Sequence, residues 1–171
     1  MLKLITTILL ALSVSACVSS NIARYSITSN ILNYDVDDSY EVNVKMPLYL
    51  SCSGIVLQTS DVSFVEAVNN KWVEPITTQI QMLVENKIID KKLPKDLSYF
   101  VYVSKFNGST NGKVFTSLSI SVKKQNKELL SFNKDLVTNL SGDGYDILVA
   151  DLRDNLNLLL DDFITKAKVS L

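Results

Sequence analysis

The order of apolar and polar positions divides the chain into short extended runs and two longer helical stretches. In the segment from Gly54 to Pro75, GIVLQTSDVSFVEAVNNKWVEP, the apolar runs Ile55 to Leu57 and Val62 to Ala67 flank the turn-forming Thr59-Ser60-Asp61, which predicts a hairpin. Asn69 and Asn70 then break the extended pattern. A helix is expected to open at Trp72 with Pro75 in its first turn, where a missing amide hydrogen costs little because that donor has no intrahelical partner. Upstream, Arg24 to Thr28 reads as a short strand and Asn30 to Ser39 as a polar, acidic connection. In Glu41 to Met46, Val42, Val44 and Met46 alternate with Glu41, Asn43 and Lys45, the period of a half-buried strand, and Pro47 ends it.

From Trp72 to Asp90, Val73, Ile76, Ile80, Leu83 and Val84 recur at three- and four-residue steps and turn one stripe to the core. Lys91, Lys92 and Pro94 close this helix, with basic residues at the negative end of its dipole. Three strands follow. Leu97 to Phe106 carries apolar groups on two faces, Leu97, Tyr99, Val101 and Val103 against Phe100, Tyr102 and Phe106, and so predicts a central strand. Val114 to Val122 sets Val114, Thr116, Leu118, Ile120 and Val122 against Ser117, Ser119 and Ser121, and Leu130 to Val137 alternates similarly. The short links Asn107 to Gly112 and Gln125-Asn126-Lys127 make these strands antiparallel neighbours, a meander. After the loop Ser141 to Gly144, with Asp143 as expected N-cap, Tyr145, Leu148, Leu152, Leu156, Leu159, Phe163 and Ala167 form the core stripe of a last helix. The fold class predicted is α+β, or α/β layered: a mixed, largely antiparallel sheet with a C-terminal three-strand meander, covered by two main amphipathic helices.

The N-terminus has a different pattern. Lys3 precedes the apolar run Leu4 to Leu12, and Val14-Ser15-Ala16 leads into Cys17, which reads as a signal peptide over residues 1–16. The run is shorter than the roughly 20 residues a spanning helix needs. Its end resembles a bacterial lipobox, which makes Cys17 the lipidated residue, carrying a diacylglycerol and an acyl chain, with residues 17–23 as tether and 24–171 as one folded domain. Two or three acyl chains hold a protein at a membrane permanently, where one does so only marginally. Val18, in place of an aspartate after the cysteine, favours the periplasmic leaflet of the outer membrane.

A hydrophobic content of 47% over 171 residues suffices for a single core. The net charge of −1 leaves no basic footprint, so nucleic acid is not expected as a partner. Histidine is absent, which removes the commonest general base and the commonest transition-metal ligand. Asp35, Asp37 and Asp38 lack the spaced glycine and distal glutamate of a calcium loop. Asp151, Asp154, Asp161 and Asp162, interspersed with Arg153 and Lys166, read as a wet helix face. Gly142-Asp143-Gly144 lacks the lysine and Ser/Thr of a phosphate loop. Trp72 reads as a packing anchor rather than a ligand platform. Cys52, without a partner in the chain once Cys17 is acylated, reads as a small buried hydrophobe rather than half of an intermolecular disulfide, and a reactive thiol would need a base that is not found. No catalytic residue, metal site or cofactor beyond the covalent lipid is expected.

Gln58-Thr59-Ser60-Asp61-Val62 followed by Asn69, Asn70, Trp72 and Pro75 resembles the PqiC-type auxiliary lipoproteins of ABC-type transport. Pro47, Tyr49 and Leu50, then Phe106-Asn107-Gly108, Gly112-Lys113-Val114 and Asp143-Gly144-Tyr145-Asp146, extend the likeness in order over most of the mature chain. Cys52 departs from it. The resemblance implies a lipoprotein of a membrane-bridging lipid transport system, docking an MCE-domain (PqiB-like) tunnel protein at the outer membrane as a homo-oligomeric ring. It also implies a partner interface at Pro47, Tyr49, Leu50, Gln58, Thr59, Ser60, Asp61, Asn107 and Gly108; the same residues would equally be shared if they only specify turns and packing. A stand-alone lipid carrier, with ligand between helices and sheet, and an enzyme of envelope material are the other classes; the missing histidine speaks against the second.

Overall fold

A computed structural model describes residues 21–28 and 40–171, so the signal peptide, Cys17 and the acids Asp35 to Asp38 lie outside the described residues. The sheet is assembled on β5 (Ser98–Ser109). On one side β5 pairs antiparallel with β6 (Lys113–Lys124), which pairs antiparallel with β7 (Lys127–Asn139), so the meander is as expected. Gln125 and Asn126 both adopt left-handed φ angles in the β6–β7 link, the conformation that a two-residue hairpin turn following the right-handed strand twist requires.

The other side of β5 is shared. Its first half pairs parallel with β2 (Glu41–Lys45), from Glu41 on Ser98 to Lys45 on Tyr102. Its far end pairs parallel with β3 (Gly54–Ser60), at Leu57 on Gly108 and Gln58 on Ser109. β3 turns back into β4 (Ser63–Trp72), whose last three residues pair parallel with β1 (Ala23–Tyr25). The result is an α+β fold with a seven-stranded mixed sheet. Two helices, α1 (Ile76–Asp90) and α2 (Tyr145–Ser170), cover one face. Lys87 on α1 donates to Asp161 on α2 at 2.6 Å.

The covered face supplies the core. Tyr99, Val101 and Val103 of β5, Val114, Leu118, Ile120 and Val122 of β6, and Leu130 and Phe132 of β7 lie buried beneath Leu148, Leu152, Leu156, Leu159 and Phe163 of α2. The stripe predicted for α2 is therefore its buried face. Asn155 joins it because its amide donates to the Thr138 hydroxyl at 2.9 Å.

Four local expectations are corrected. β4 runs straight through Asn69 and Asn70 to Trp72; the break foreseen there is a register shift between β3 and β4 instead. Trp72 opens no helix, because its amide donates to the Ser53 carbonyl at 2.8 Å and the Val73 amide to the Tyr25 carbonyl at 2.9 Å, which keeps the chain extended. α1 begins at Ile76, with Pro75 at the N-cap, and Val73 is outside the core stripe. The N-cap of α2 is Gly144, not Asp143; its φ of 96° is a conformation that glycine adopts without penalty. Phe106, expected opposite Tyr99, lies on the same buried side, because a register shift between Val103 and Lys105 reverses the alternation.

Trp72 is 5% exposed with its ring 6.1 Å from that of Phe106, whereas neighbouring Val73 is 49% exposed. Trp72→Ala is expected to cost about 3–5 kcal/mol in denaturant unfolding and Val73→Ala less than about 1 kcal/mol. Equal losses would place Val73 in the core of a longer helix.

Candidate functional site: an aromatic cleft on the uncovered sheet face

The face of the sheet opposite the helices is open, and its composition changes along each strand. On β5, Phe100 and Tyr102 point outward and are substantially exposed. Ser119 and Ser121 of β6 and Ser131 and Asn133 of β7 continue their rows, and with Asn43 and Lys45 of β2 they line a shallow depression of about 310 Å³. Hydroxyls knit these rows together. Ser104 donates to Ser117 at 2.7 Å, Ser117 to the Asp135 carboxylate, and Ser119 to Asn133 at 3.2 Å. Lys123 lies over the Phe100 ring at 4.9 Å.

Toward the β3–β4 turn the face deepens into a cleft of about 410 Å³, lined by Tyr49, Gln58, Asp61, Phe64, Lys105, Asn107 and Phe115 among others. Three separate stretches of chain meet here. The loop between β2 and β3 contributes Tyr49, whose ring packs on Phe64 with centroids 4.8 Å apart. The β3–β4 hairpin contributes Gln58, Asp61 and Phe64, and β5 and β6 contribute Lys105, Asn107 and Phe115. A smaller adjoining depression adds Thr59, Ser60, Thr110 and Asn111, where the Thr110 amide donates to the Gln58 carbonyl at 3.0 Å. Burial, and then the neighbouring Tyr102, pushes the Tyr49 phenol above its ordinary value, so it is a hydrogen-bond donor at any physiological pH.

Of the nine residues singled out from sequence, Tyr49, Gln58, Asp61 and Asn107 line the cleft, with Thr59 and Ser60 on its rim. Pro47 starts the turn that shapes the loop, its carbonyl accepting from the Leu50 amide at 3.0 Å and the Ser51 amide at 3.3 Å. Leu50 and Gly108 are elsewhere. Leu50 is in the core, and Gly108 faces the helix side, where a Cβ would come within 2.8 Å of Leu148 and 3.0 Å of Leu57. Phe64, Lys105 and Phe115 were not singled out. Alternation across the β3–β4 turn pairs Phe64 with Gln58 and would have found it; the shift at Val103 to Lys105 hides Lys105.

Cys52 lies at the back of the same loop, half-buried, its thiol directed at the carbonyls of Tyr49 at 3.1 Å and Gly54 at 3.4 Å. Burial and the Glu66 carboxylate push it up. Glu66 is held by the Gly54 amide at 2.6 Å. Among the described residues no group of three or more acids or cysteines is placed to hold a metal ion, and no helix is long and apolar enough to cross a membrane.

The molecule is thus an α+β domain that carries its aromatic cleft on the helix-free face. The chain belongs to the family of ABC-type transport auxiliary lipoprotein components, matched over residues 42–163. It is 37% identical over 86 residues to the intermembrane transport lipoprotein PqiC of Escherichia coli (strain K12), and equally to that of Shigella flexneri. The match takes in 43% of this chain and 45% of each relative, so it spans less than half the length of the curated relatives. Among solved structures, the crystal structure of an uncharacterized protein superposes with a TM-score of 0.72 at 25% identity, covering 85% of this chain and 98% of the other. A protein of Xanthomonas campestris superposes at 0.68 over 86% and 94%, and at 11% identity shares the fold alone.

Because burial and the Glu66 carboxylate raise the Cys52 thiol, its alkylation at pH 8, followed by peptide mass, is expected to run slower than in the unfolded chain. Glu66→Gln keeps an acceptor for the Gly54 amide but removes the charge, and is expected to accelerate the reaction several-fold. An unchanged rate would show that burial alone sets the thiol.

Proposed function

We propose that this protein is the outer-membrane lipoprotein of a membrane-bridging lipid transport system, anchored through acylated Cys17 and docking an MCE-domain tunnel protein in the cleft of its open sheet face. Its family membership supports the coarser part, a role as a lipoprotein auxiliary to transport. The cleft carries the rest: three distant segments converge on exposed aromatic rings where no helix covers the sheet. Aromatic side chains in a partly desolvated pocket are the usual energetic centre of a protein interface. Several copies arranged as a ring would present such clefts around one tunnel end.

The stand-alone carrier fits the structure less well. The opening between α2 and the sheet, lined by Leu57, Leu140, Tyr145 and Leu148, is only about 160 Å³, below the roughly 300–1,000 Å³ of ordinary ligand pockets.

The test is the affinity of the purified lipoprotein for the MCE-domain protein in detergent. Tyr49→Ala combined with Phe64→Ala is expected to weaken binding by about tenfold or more, as loss of an aromatic centre does. Leu158→Ala, on the exposed side of α2, is expected to leave it unchanged. Undiminished binding by the cleft variant would move the interface off this face, and lipid co-purifying with a chain that binds no MCE-domain protein would restore the carrier.

A further inference from the structure

Exposed aliphatic residues occur at several places, Leu129 and Val137 on β7 and Leu158 and Val169 on α2 among them, and four fall together. Val62 is 90% exposed at the β3–β4 turn, Val68 77% and Val65 48% along β4, and Ile22 is 47% exposed just before β1. All four lie at or beside one border of the sheet. Between Gly54 and Asn70 the only charged residues are Asp61 and Glu66, and Glu66 is held by the Gly54 amide. The opposite end of the molecule is the reverse, with Lys91, Lys92, Lys95, Asp96, Lys123, Lys124, Lys127 and Glu128 around the start of β5 and the β6–β7 turn, where Lys124 pairs with Asp96 at 2.5 Å.

The direction of β1 selects an occupant for this border. β1 is parallel to β4, with Ala23 opposite Asn70 and Tyr25 opposite Trp72. Read backwards from Ala23, the chain therefore heads toward Ser63 and the β3–β4 turn. Six residues separate Cys17 from Ala23, a reach of at most about 20 Å. From Ala23, opposite Asn70, the β3–β4 turn is about 23 Å away along β4 and the start of β5 lies about as far in the opposite direction, so the direction of β1 and not the length of the tether decides between the two ends. A lipid on Cys17 is thus within reach of the β3–β4 end, the way β1 points when read backwards.

We propose that the border formed by Ile22, Val62, Val65 and Val68 rests in the interfacial layer of the bilayer that holds the anchor. This inference relies on acylation at Cys17 as argued above. Aliphatic side chains partition to the headgroup and acyl boundary, where an amphipathic surface settles some 5–10 Å deep. Such seating fixes what a flexible tether alone leaves free, the orientation of the domain. The charged end then points away from the membrane, and the open face with its cleft stands roughly across the membrane plane.

The full-length lipidated protein, in a Cys52→Ser background, is labelled with an environment-sensitive dye at Val62→Cys, at Val68→Cys or at Gln125→Cys in the opposite turn. Each form is incorporated into vesicles of phosphatidylethanolamine and phosphatidylglycerol carrying brominated lipids. Flotation with the vesicles, a blue-shifted emission and at least twofold quenching at Val62 and Val68, with Gln125 reporting water, are expected. Flotation with all three labels equally in water overturns the seating while leaving the anchor intact. Shielding of Val62 and Val68 that arises only on adding the MCE-domain protein also overturns it and assigns the border to that partner. Failure to float overturns the Cys17 anchor and the seating with it.

Discussion

One edge of β5 is asked to pair with two strands, and most of the molecule follows from that. β2 occupies the first five positions and β3 the last two, both parallel to β5. Two strands in line on one edge cannot be joined within the sheet, so the chain between them, from Met46 to Ser53, has to leave it. Pro47 suits the departure, since it has no amide to give to a ladder, and its carbonyl closes the turn that follows. The excursion is then pinned by Leu50 in the core and by the Cys52 thiol on the Gly54 carbonyl. Tyr49, between these two fixed points, is left on Phe64. The cleft is thus a product of strand sharing: its back wall is sheet, and its lid is the loop that sharing expels.

The periodic elements were legible in the sequence because their period is enforced by burial on one face. The α2 stripe and the alternation of β6 translate directly into buried positions. What the sequence concealed were the places where a backbone partner outranks local preference. Trp72-Val73-Glu74-Pro75 has the punctuation of a helix start, yet the carbonyls of Ser53 and Tyr25 capture two amides and postpone the helix to Ile76. Gln79, polar and outside the apolar stripe of its helix, is buried because its amide oxygen accepts from the Ile27 amide at 2.9 Å and its nitrogen donates to the Glu74 carbonyl at 2.9 Å. A side chain there completes backbone pairing that the sheet does not reach, a role with no periodicity to betray it. The cleft was half legible for a similar reason: turn residues mark the hairpin and the loop, but the register shift in β5 that brings Lys105 and Asn107 to its wall has no sequence signature of its own.

The two borders of the sheet are treated differently. β7 presents a long outer edge, and it is guarded: Lys127 and Lys134 project there, Lys134 pairs with Asp162 at 2.5 Å, and Lys166 donates to the Ser131 carbonyl at 2.7 Å. Charge along an edge, and side chains satisfying its carbonyls, are the ordinary means of preventing another strand from adding. β4 has neither device. Among the described residues β1 covers only its last three positions, Asn70 to Trp72, and the remainder carries exposed valines with Glu66 drawn inward. In a freely diffusing protein such an edge invites aggregation. It is tolerable where something constant covers it, and β1, parallel to β4, starts along this same border. Under the seating proposed above, protection of β7 and neglect of β4 are one design, in which the membrane stands where a guarding lysine would otherwise be needed.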